Sequence, residues 1–257
     1  MKLLSFLFLY FIVLLNCYAG TVDPNTPDSK YIEYGQKFNY VGSLCGSYDN
    51  GDLFCASAVA IDDHHILTAA HVVEGAKTCI FSLEEFPYKI NTIIIHKDFG
   101  KKKHILDLTK ADIALCYSEK PFGLKFYPDL YETSDEQSKL ACIAGYGFTG
   151  NFISGANTHD GIKRAGSNFI DTIRDDSLLI CSPSKRNHKD FTSLEFFIAS
   201  GDSGGGLFID NKLAGINSCI MATKSNPKSG YNEESGHTRI SKFIEWIKEN
   251  KIKQPTK

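Results

Sequence analysis

Short apolar runs separated by turn residues fill the chain from Tyr40 onward, and this pattern constrains the fold more than any other feature. The runs lie at 53–61, 66–70, 78–83, 90–95, 113–117, 140–144 and 206–209. Runs of this length with turns between them are typical of the strands of a β-sandwich or barrel. The Asp-Asn-Gly-Asp sequence at 49–52 predicts a hairpin turn. Apolar residues recur with clear helical spacing at 240–247, so we expect an all-β fold with one C-terminal helix.

The composition supports a folded domain and argues against two classes of partner. The chain has 257 residues, of which 42% are hydrophobic, and this is enough to build a sizeable core. Its formal net charge of −2 gives no basic excess that would attract nucleic acid or an anionic membrane surface. We therefore expect no nucleic-acid partner.

The start of the chain predicts a secretory signal peptide at residues 1–19. Lys2 supplies a positive charge, an apolar stretch covers 3–15, and Ala19 is the expected last residue before the cut. An uncleaved membrane anchor is the alternative, but a membrane span needs about 20 apolar residues. We therefore expect the protein to be secreted into an extracellular, oxidising compartment and to keep no stable membrane anchor after the signal peptide is removed. Residues 20–30 are interpreted as a linker or pro-segment, and residues 31–257 as the main domain.

The glycine-rich segment Gly-Asp-Ser-Gly-Gly-Gly at 201–206 is the strongest chemical motif. A nucleophilic serine needs an approachable hydroxyl with backbone N–H donors nearby, and glycines permit the tight backbone that supplies them. A simple turn between strands is the structural alternative. A phosphate-binding loop is a weaker one, because the lysine of such loops does not follow.

One histidine and one aspartate stand out beside apolar strands. His71 follows small residues at the end of a strand, where its imidazole could approach a neighbour closely. Asp112 opens an apolar strand and could hold an imidazole in one tautomer, although such an acid is often only a turn residue. His64 and His65 are rival bases, but their Asp-Asp-His-His context predicts a hairpin turn.

Together these segments resemble the trypsin/chymotrypsin-like (S1) serine endopeptidases. The matching motifs are Leu-Thr-Ala-Ala-His at 67–71, Asp-Ile-Ala-Leu at 112–115 and Gly-Asp-Ser-Gly-Gly at 201–205. Their His, Asp, Ser order differs from that of subtilisin and the α/β-hydrolases. The resemblance covers about 41–248. It implies two six-stranded antiparallel β-barrels with the active site between them.

The resemblance also implies roles for individual residues. Ser203 would be the nucleophile, His71 the general base and Asp112 the residue that orients it. The backbone N–H groups of Gly201 and Ser203 would form the oxyanion hole. Asp202 matches the acid that pairs with a new N-terminus after zymogen activation. No metal or organic cofactor is required, and the expected partners are peptide or protein substrates, with protease inhibitors as further candidates.

The resemblance assigns three residues to substrate binding. Ser218 would contact the substrate backbone, Phe197 would lie at the bottom of the primary pocket, and Ile220 would narrow its wall. Glu195, the nearest acid, would need a two-residue shift to reach the pocket. We therefore expect non-tryptic specificity, with small or medium apolar side chains preferred. A core strand at 196–198 is the alternative interpretation.

Several positions depart from the family pattern. Val72 replaces a cysteine usually bridged to the one matching Cys55, so Cys55 is left to pair with Cys79 or Cys45. The cysteine expected at position 199 is Ala199, and the disulfide that closes the pocket is absent. These departures support an alternative, a weak or inactive serine-protease-like protein that binds or regulates. A non-peptide esterase is a third hypothesis.

Activation is the weakest part of the match, because no Ile/Val-x-Gly-Gly segment is present. A cut between Lys30 and Tyr31 is the predicted activation step. In the alternative, 21–30 is only a tether and Asp202 pairs with an internal cation, Arg239 or Lys224.

Overall fold

Two antiparallel sheets dominate the computed structural model, which describes residues 20–100, 111–158, 160–222 and 228–251. The elements of the N-terminal half are β1 (Thr21–Val22), α1 (Asp28–Gly35), β2 (Val41–Tyr48), β3 (Leu53–Ala60), β4 (His65–Thr68), α2 (Ala70–Val73), β5 (Ala76–Leu83), β6 (Phe86–Lys89), β7 (Thr92–Ile95) and β8 (Ala114–Tyr117). Those of the C-terminal half are β9 (Leu140–Gly145), β10 (Thr149–Asn151), β11 (Gly155–Thr158), β12 (Arg164–Phe169), β13 (Thr172–Arg174), β14 (Leu178–Cys181), β15 (Phe196–Phe197), β16 (Gly206–Ile209), β17 (Lys212–Met221), β18 (Glu234–Arg239) and α3 (Ile244–Asn250). The predicted signal peptide, 1–19, lies outside the described residues.

The N-terminal sheet has the order β6-β5-β2-β3-β4-β8-β7. The predicted hairpin at 49–52 joins β2 to β3, with Gly51 at a positive φ of 90° that glycine adopts without strain. Cys45 and Cys55 lie opposite each other across this hairpin and form a disulfide, which decides between the two partners left open for Cys55. Cys79 is therefore a free, buried thiol.

The C-terminal sheet has the order β12-β9-β16-β17-β18-β14-β13. A 3-10 turn at Ile240–Lys242 and α3 close the chain, as the helical spacing predicted. The predicted all-β class with two antiparallel units and a C-terminal helix is confirmed. Each sheet has seven strands rather than six, because the short strands β6 and β13 extend its edge.

A third, four-stranded sheet ties the start of the described chain to the C-terminal half. In it β1 lies between β10, to which it is parallel, and β15, to which it is antiparallel. Asp23 is buried and forms a salt bridge with Arg186, while Asp28 at the start of α1 accepts two hydrogen bonds from buried Arg164. The start of the segment 20–30, interpreted from the sequence as a linker or pro-segment, is thus buried in the domain over 20–23, while the rest of it lies largely exposed on the surface.

Two buried apolar clusters form the core, and the larger one reaches from the N-terminal half into the C-terminal half, where it includes Phe208 and Ile216. The larger includes Leu44, Ile66 and Phe81, and the smaller includes Leu179 and Phe196. The segment 198–205 follows β15 and returns towards the N-terminal sheet, where the backbone N–H of Ser57 on β3 donates to the carbonyl of Ser203 (2.9 Å). The candidate site lies at this junction. No helix in the described part of the chain has the length and apolar character needed to cross a membrane.

Candidate active site

His71 and Asp112 meet because the strands beside them are neighbours. His71 lies in α2, directly after β4, and Asp112 lies two residues before β8, which pairs with β4 through Thr68 and Ala114. Nδ1 of His71 lies 2.7 Å from Oδ2 of Asp112, and the backbone N–H of His71 donates to Oδ1 (2.9 Å). Both carboxylate oxygens therefore hold the imidazole in place.

The surroundings of Asp112 fix its carboxylate. Asp112 is only 2% exposed. The hydroxyl of Ser218 donates a hydrogen bond of 2.5 Å to its Oδ2. The hydroxyl of Thr238 on β18 donates to the backbone carbonyl of Asp112 (2.9 Å), a contact that sequence patterns do not indicate. A buried carboxylate aimed at one imidazole stabilises the protonated ring when a proton arrives.

Ser203 completes a continuous set of hydrogen-bond contacts with these groups. Its Oγ lies 3.0 Å from Nε2 of His71, while the His71 side chain is 42% exposed. The following residue, Gly204, has a positive φ of 84°, and a Cβ there would lie 2.1 Å from the carbonyl oxygen of Ser57. Glycine is required at 204 both by its conformation and by this close approach.

Two backbone amides beside Ser203 have no hydrogen-bond partner within the described part of the chain, namely those of Gly201 and Ser203. The carbonyl of Gly201 is held by the hydroxyl of Ser57 (2.9 Å), which also accepts from the amide of Tyr146 (2.9 Å). Unpaired amides at such a site are suited to bind a developing oxyanion. Sequence patterns gave no reason to single out Ser57.

Asp202 points away from the site into the protein and is 0% exposed. Its Oδ2 accepts the amides of Ala199 and Gly20, each at 2.8 Å, and its Oδ1 accepts the amide of Gly147, also at 2.8 Å. Burial raises the pKa of this carboxyl to about 8, although the amide hydrogen bonds act in the opposite direction.

Of the cations named for Asp202, Arg239 is the one that lies within the described residues, and it does not contact Asp202. Arg239 instead binds Glu136 and Asp176, and Lys224 lies outside the described residues. Tyr31, which the predicted cut would expose as a new N-terminus, is fully buried within α1. The nitrogen that reaches Asp202 in this structure is the backbone amide of Gly20, and activation by a cut at the Lys30–Tyr31 bond stays a prediction.

A cavity of about 320 Å³ opens beside Ser203. Among the described residues, its lining contains no acid and consists of Phe148, Ala156, Ile198, Ala199, Ser200, Ser203, Ser218, Cys219, Ile220, Lys228 and Ser229. Ser218 and Ile220, assigned to substrate binding from the sequence, both lie in this lining. Lys228, which the sequence did not indicate, is the only charged residue among the described residues of the lining.

Phe197 does not line this cavity. It is 0% exposed because it belongs to β15 and pairs with Thr21, so the core-strand interpretation holds and the pocket-bottom interpretation is corrected. Glu195 lies elsewhere as well, since its carboxylate accepts the amides of Ser184 (2.7 Å) and Thr192 (2.9 Å). Burial raises the pKa of Glu195 to about 7.

The two rival histidines have other partners. Nδ1 of His65 lies 2.8 Å from a carboxylate oxygen of Asp62, and Nδ1 of His64 lies 2.8 Å from the carbonyl of Ser118. In the described ranges no three His, Cys, Asp or Glu side chains are grouped as metal ligands would be.

The two antiparallel sheets, with the site between them, define a trypsin-like serine protease fold. The chain belongs to the trypsin family, since the family description "Trypsin" matches residues 34–247.

Three solved structures resemble it in fold. A collagenase designated HL is 20% identical, with a TM-score of 0.65, over 84% of this chain and 95% of that one. Neuropsin, a serine protease of mouse brain, is 19% identical, with a TM-score of 0.63 and the same two coverages. The protein GrC is 16% identical, with a TM-score of 0.62, over 90% of this chain and 97% of that one.

Proposed function

We propose that this protein is a secreted serine endopeptidase that hydrolyses peptide bonds through an acyl-enzyme on Ser203. The observation that carries the proposal is the unbroken set of contacts from Ser203 Oγ to His71 Nε2 and from His71 Nδ1 to the buried carboxylate of Asp112. Membership of the trypsin family supports it independently.

Each residue has one task in the proposed reaction. His71 takes the proton of the Ser203 hydroxyl as the oxygen attacks the substrate carbonyl, and then gives a proton to the departing amine. Asp112 stabilises the imidazolium, while Ser218 keeps the carboxylate oriented through its 2.5 Å hydrogen bond. The amides of Gly201 and Ser203 receive the oxyanion. A water molecule, activated by His71, then releases the acyl group.

Secretion is supported by the signal-like start of the sequence and by the Cys45–Cys55 disulfide. Disulfides persist in oxidising compartments and are rare in the cytosol. The proposed partners are peptides or proteins in that compartment, together with inhibitors that occupy the same cavity.

The lining of the cavity supports non-tryptic specificity. Selection of Arg or Lys needs a negative charge in the pocket, whereas the described part of the lining has Lys228 and no acid. Ile198, Ala199 and Ile220 provide an apolar wall. We therefore propose cleavage after small or medium apolar residues. Profiling with a peptide library tests this, and efficient cleavage after Arg or Lys alone would contradict it.

The alternative is a weak or inactive member of the family that binds or regulates. Its support is that Cys142 and Cys219, both in the C-terminal half and the second of them in the lining of the cavity, are free thiols rather than members of disulfides. Without such cross-links, the walls of the pocket depend on packing and hydrogen bonds alone.

Labelling with a fluorophosphonate decides between the two. The probe should modify the wild-type protein at Ser203, and Ser203→Ala should abolish both labelling and peptide hydrolysis with little loss of folding stability. Ser134→Ala, at an exposed serine, is the matched control and should keep both. If a folded wild-type protein that begins at Gly20 never reacts with the probe, the proposed endopeptidase activity is refuted.

A further inference from the structure

Three polar side chains form a hydrogen-bonded row inside the C-terminal half: Ser235 and His237 on β18, and Asn217 on β17. Each of the three residues is 0% exposed. Nδ1 of His237 lies 2.8 Å from Oδ1 of Asn217, and Nε2 of His237 lies 3.0 Å from Oγ of Ser235. The proposed reaction gives none of them a task, although the burial of polar groups is costly unless they are paired.

The neighbours of His237 determine which ring nitrogen carries the hydrogen. Burial lowers the pKa of His237 to about 3, so the ring is neutral at pH 7 and has one N–H. The side-chain amide of Asn217 donates to the carbonyl of Ala144 (3.3 Å), which leaves its Oδ1 to accept from Nδ1 of His237. The hydroxyl of Ser235, which also lies 3.1 Å from the carbonyl of Cys181, is the donor that faces Nε2.

The backbone of Asn217 is bound to the two residues that follow Ser203. Its N–H donates to the carbonyl of Gly205, and its carbonyl accepts the N–H of Gly204, each over 2.8 Å. A Cβ at position 205 would lie 2.8 Å from the side-chain nitrogen of Asn217, so glycine lets this amide lie against the loop. Asn217 therefore joins the loop of the nucleophile to β17.

A β-bulge lies in β17 directly after Asn217. Asn217 pairs with His237, and Cys219 pairs with the residue that precedes His237, so Ser218 is an extra residue without a partner on β18. Bulges of this kind re-aim a side chain and are common beside active sites. In this protein the hydroxyl of the extra residue, Ser218, donates to Oδ2 of Asp112.

The buried pair of Asn217 and His237 specifies the position of the bulge. If the bulge moved by one residue, Ser218 would lie opposite His237, and the side chains of Asn217 and His237 would lose each other as partners. Polar atoms left unpaired in a core are strongly unfavourable, so the pair disfavours the slipped register.

We propose that His237 is a positioning residue of the active site: by holding Asn217 it fixes the bulge that aims Ser218 at Asp112. This inference deepens the proposed function and rests on it, because the carboxylate has a task only in the proposed reaction. The alternative is a pair that stabilises the sheet and leaves the reaction unaffected.

Two substitutions of His237 separate these roles. His237→Phe keeps a ring but removes both polar atoms, whereas His237→Asn keeps an N–H group near the position of Nδ1 and leaves a void. Both should lower the unfolding temperature. Fluorophosphonate labelling of Ser203 should be about tenfold slower in His237→Phe, because a misplacement of about 1 Å can cost about 100-fold. In His237→Asn the rate should stay within about twofold of wild type. His188→Phe, at an exposed histidine, is the matched control and should change neither quantity.

A double-mutant cycle shows whether His237 acts through Ser218. Ser218→Ala removes the hydroxyl, so the addition of His237→Phe to this variant should slow labelling no further. The inference is overturned if His237→Phe labels at the wild-type rate. It is also overturned if His237→Phe slows labelling as much in the Ser218→Ala background as in the wild type.

A third measurement needs neither activity nor a substitution at His237. In nitrogen-15-labelled Ser203→Ala protein, NMR should show a neutral His237 ring with its hydrogen on Nδ1 from about pH 5 to 9. A hydrogen on Nε2, or a ring that titrates in this range, would refute the contact with Asn217 and the inference with it. If the ring is as expected but the folded wild-type protein never labels, the contact stands and the proposed function fails.

Discussion

Ser57 joins the N-terminal sheet to the loop that carries Ser203, and its replacement gives the sharpest test of how the site is held. The side chain is fully buried on β3. Its hydroxyl donates to the carbonyl of Gly201 and accepts the amide of Tyr146, both over 2.9 Å. Ser57→Ala removes both bonds and keeps the backbone bond from Ser57 to Ser203.

The expected loss of stability follows from the two buried polar groups that lose their hydrogen-bond partner in Ser57→Ala. A buried donor or acceptor without a partner costs about 1–3 kcal/mol, so the amide of Tyr146 and the carbonyl of Gly201 together cost about 2–6 kcal/mol. The peptide of Gly201 also loses its anchor, and its amide is one of the two proposed oxyanion donors. Removal of a whole donor costs about 100-fold or more in rate, so a loosened one should cost about tenfold.

Unfolding in guanidinium chloride measures the loss of stability, and the rate of fluorophosphonate labelling measures the loss of reactivity at Ser203. The matched control is Ser43→Ala, since Ser43 lies opposite Ser57 on β2 and is only half-buried. If both variants lose the same stability and label at the same rate, the proposed anchoring of the loop by Ser57 is wrong.

Three further predictions follow from single features. Because burial raises the pKa of Glu195 from 4.5 to about 7, the folded state holds its proton more tightly than the unfolded state. Stability relative to Glu195→Gln should therefore be greatest below pH 4.5 and fall by about 3 kcal/mol as the pH rises through 7, measured by denaturant unfolding across this range; a flat difference would contradict it. Ile220→Gly should widen the cavity, so that a peptide library shows new cleavage after large aromatic residues, and an unchanged profile would exclude Ile220 from the pocket wall. Replacing both Cys45 and Cys55 by Ala should cost about 2–3 kcal/mol because the disulfide closes a short loop; unchanged stability under oxidising conditions would show that the disulfide has no such role.

The sequence alone predicted much of the fold and the candidate triad because both are encoded locally. Alternating apolar runs and turn residues specify strands, and the Asp-Asn-Gly-Asp segment specifies the hairpin between β2 and β3. His71, Asp112 and Ser203 each lie in a short motif that is recognisable without knowledge of its neighbours. Their order along the chain was enough to indicate the family.

The tertiary structure alone decided what depends on contacts between distant segments. Gly20 reaches Asp202 across 182 positions of sequence, and no local pattern records that contact. The apolar side chain of Phe197 suits either the floor of a pocket or a core strand. The pairing of Phe197 with Thr21 places it in a core strand. The partner of Cys55 was likewise settled by strand register. Local sequence fixes backbone preference and side-chain chemistry, but burial and partners arise only when the two sheets and the segment at 20–30 pack together.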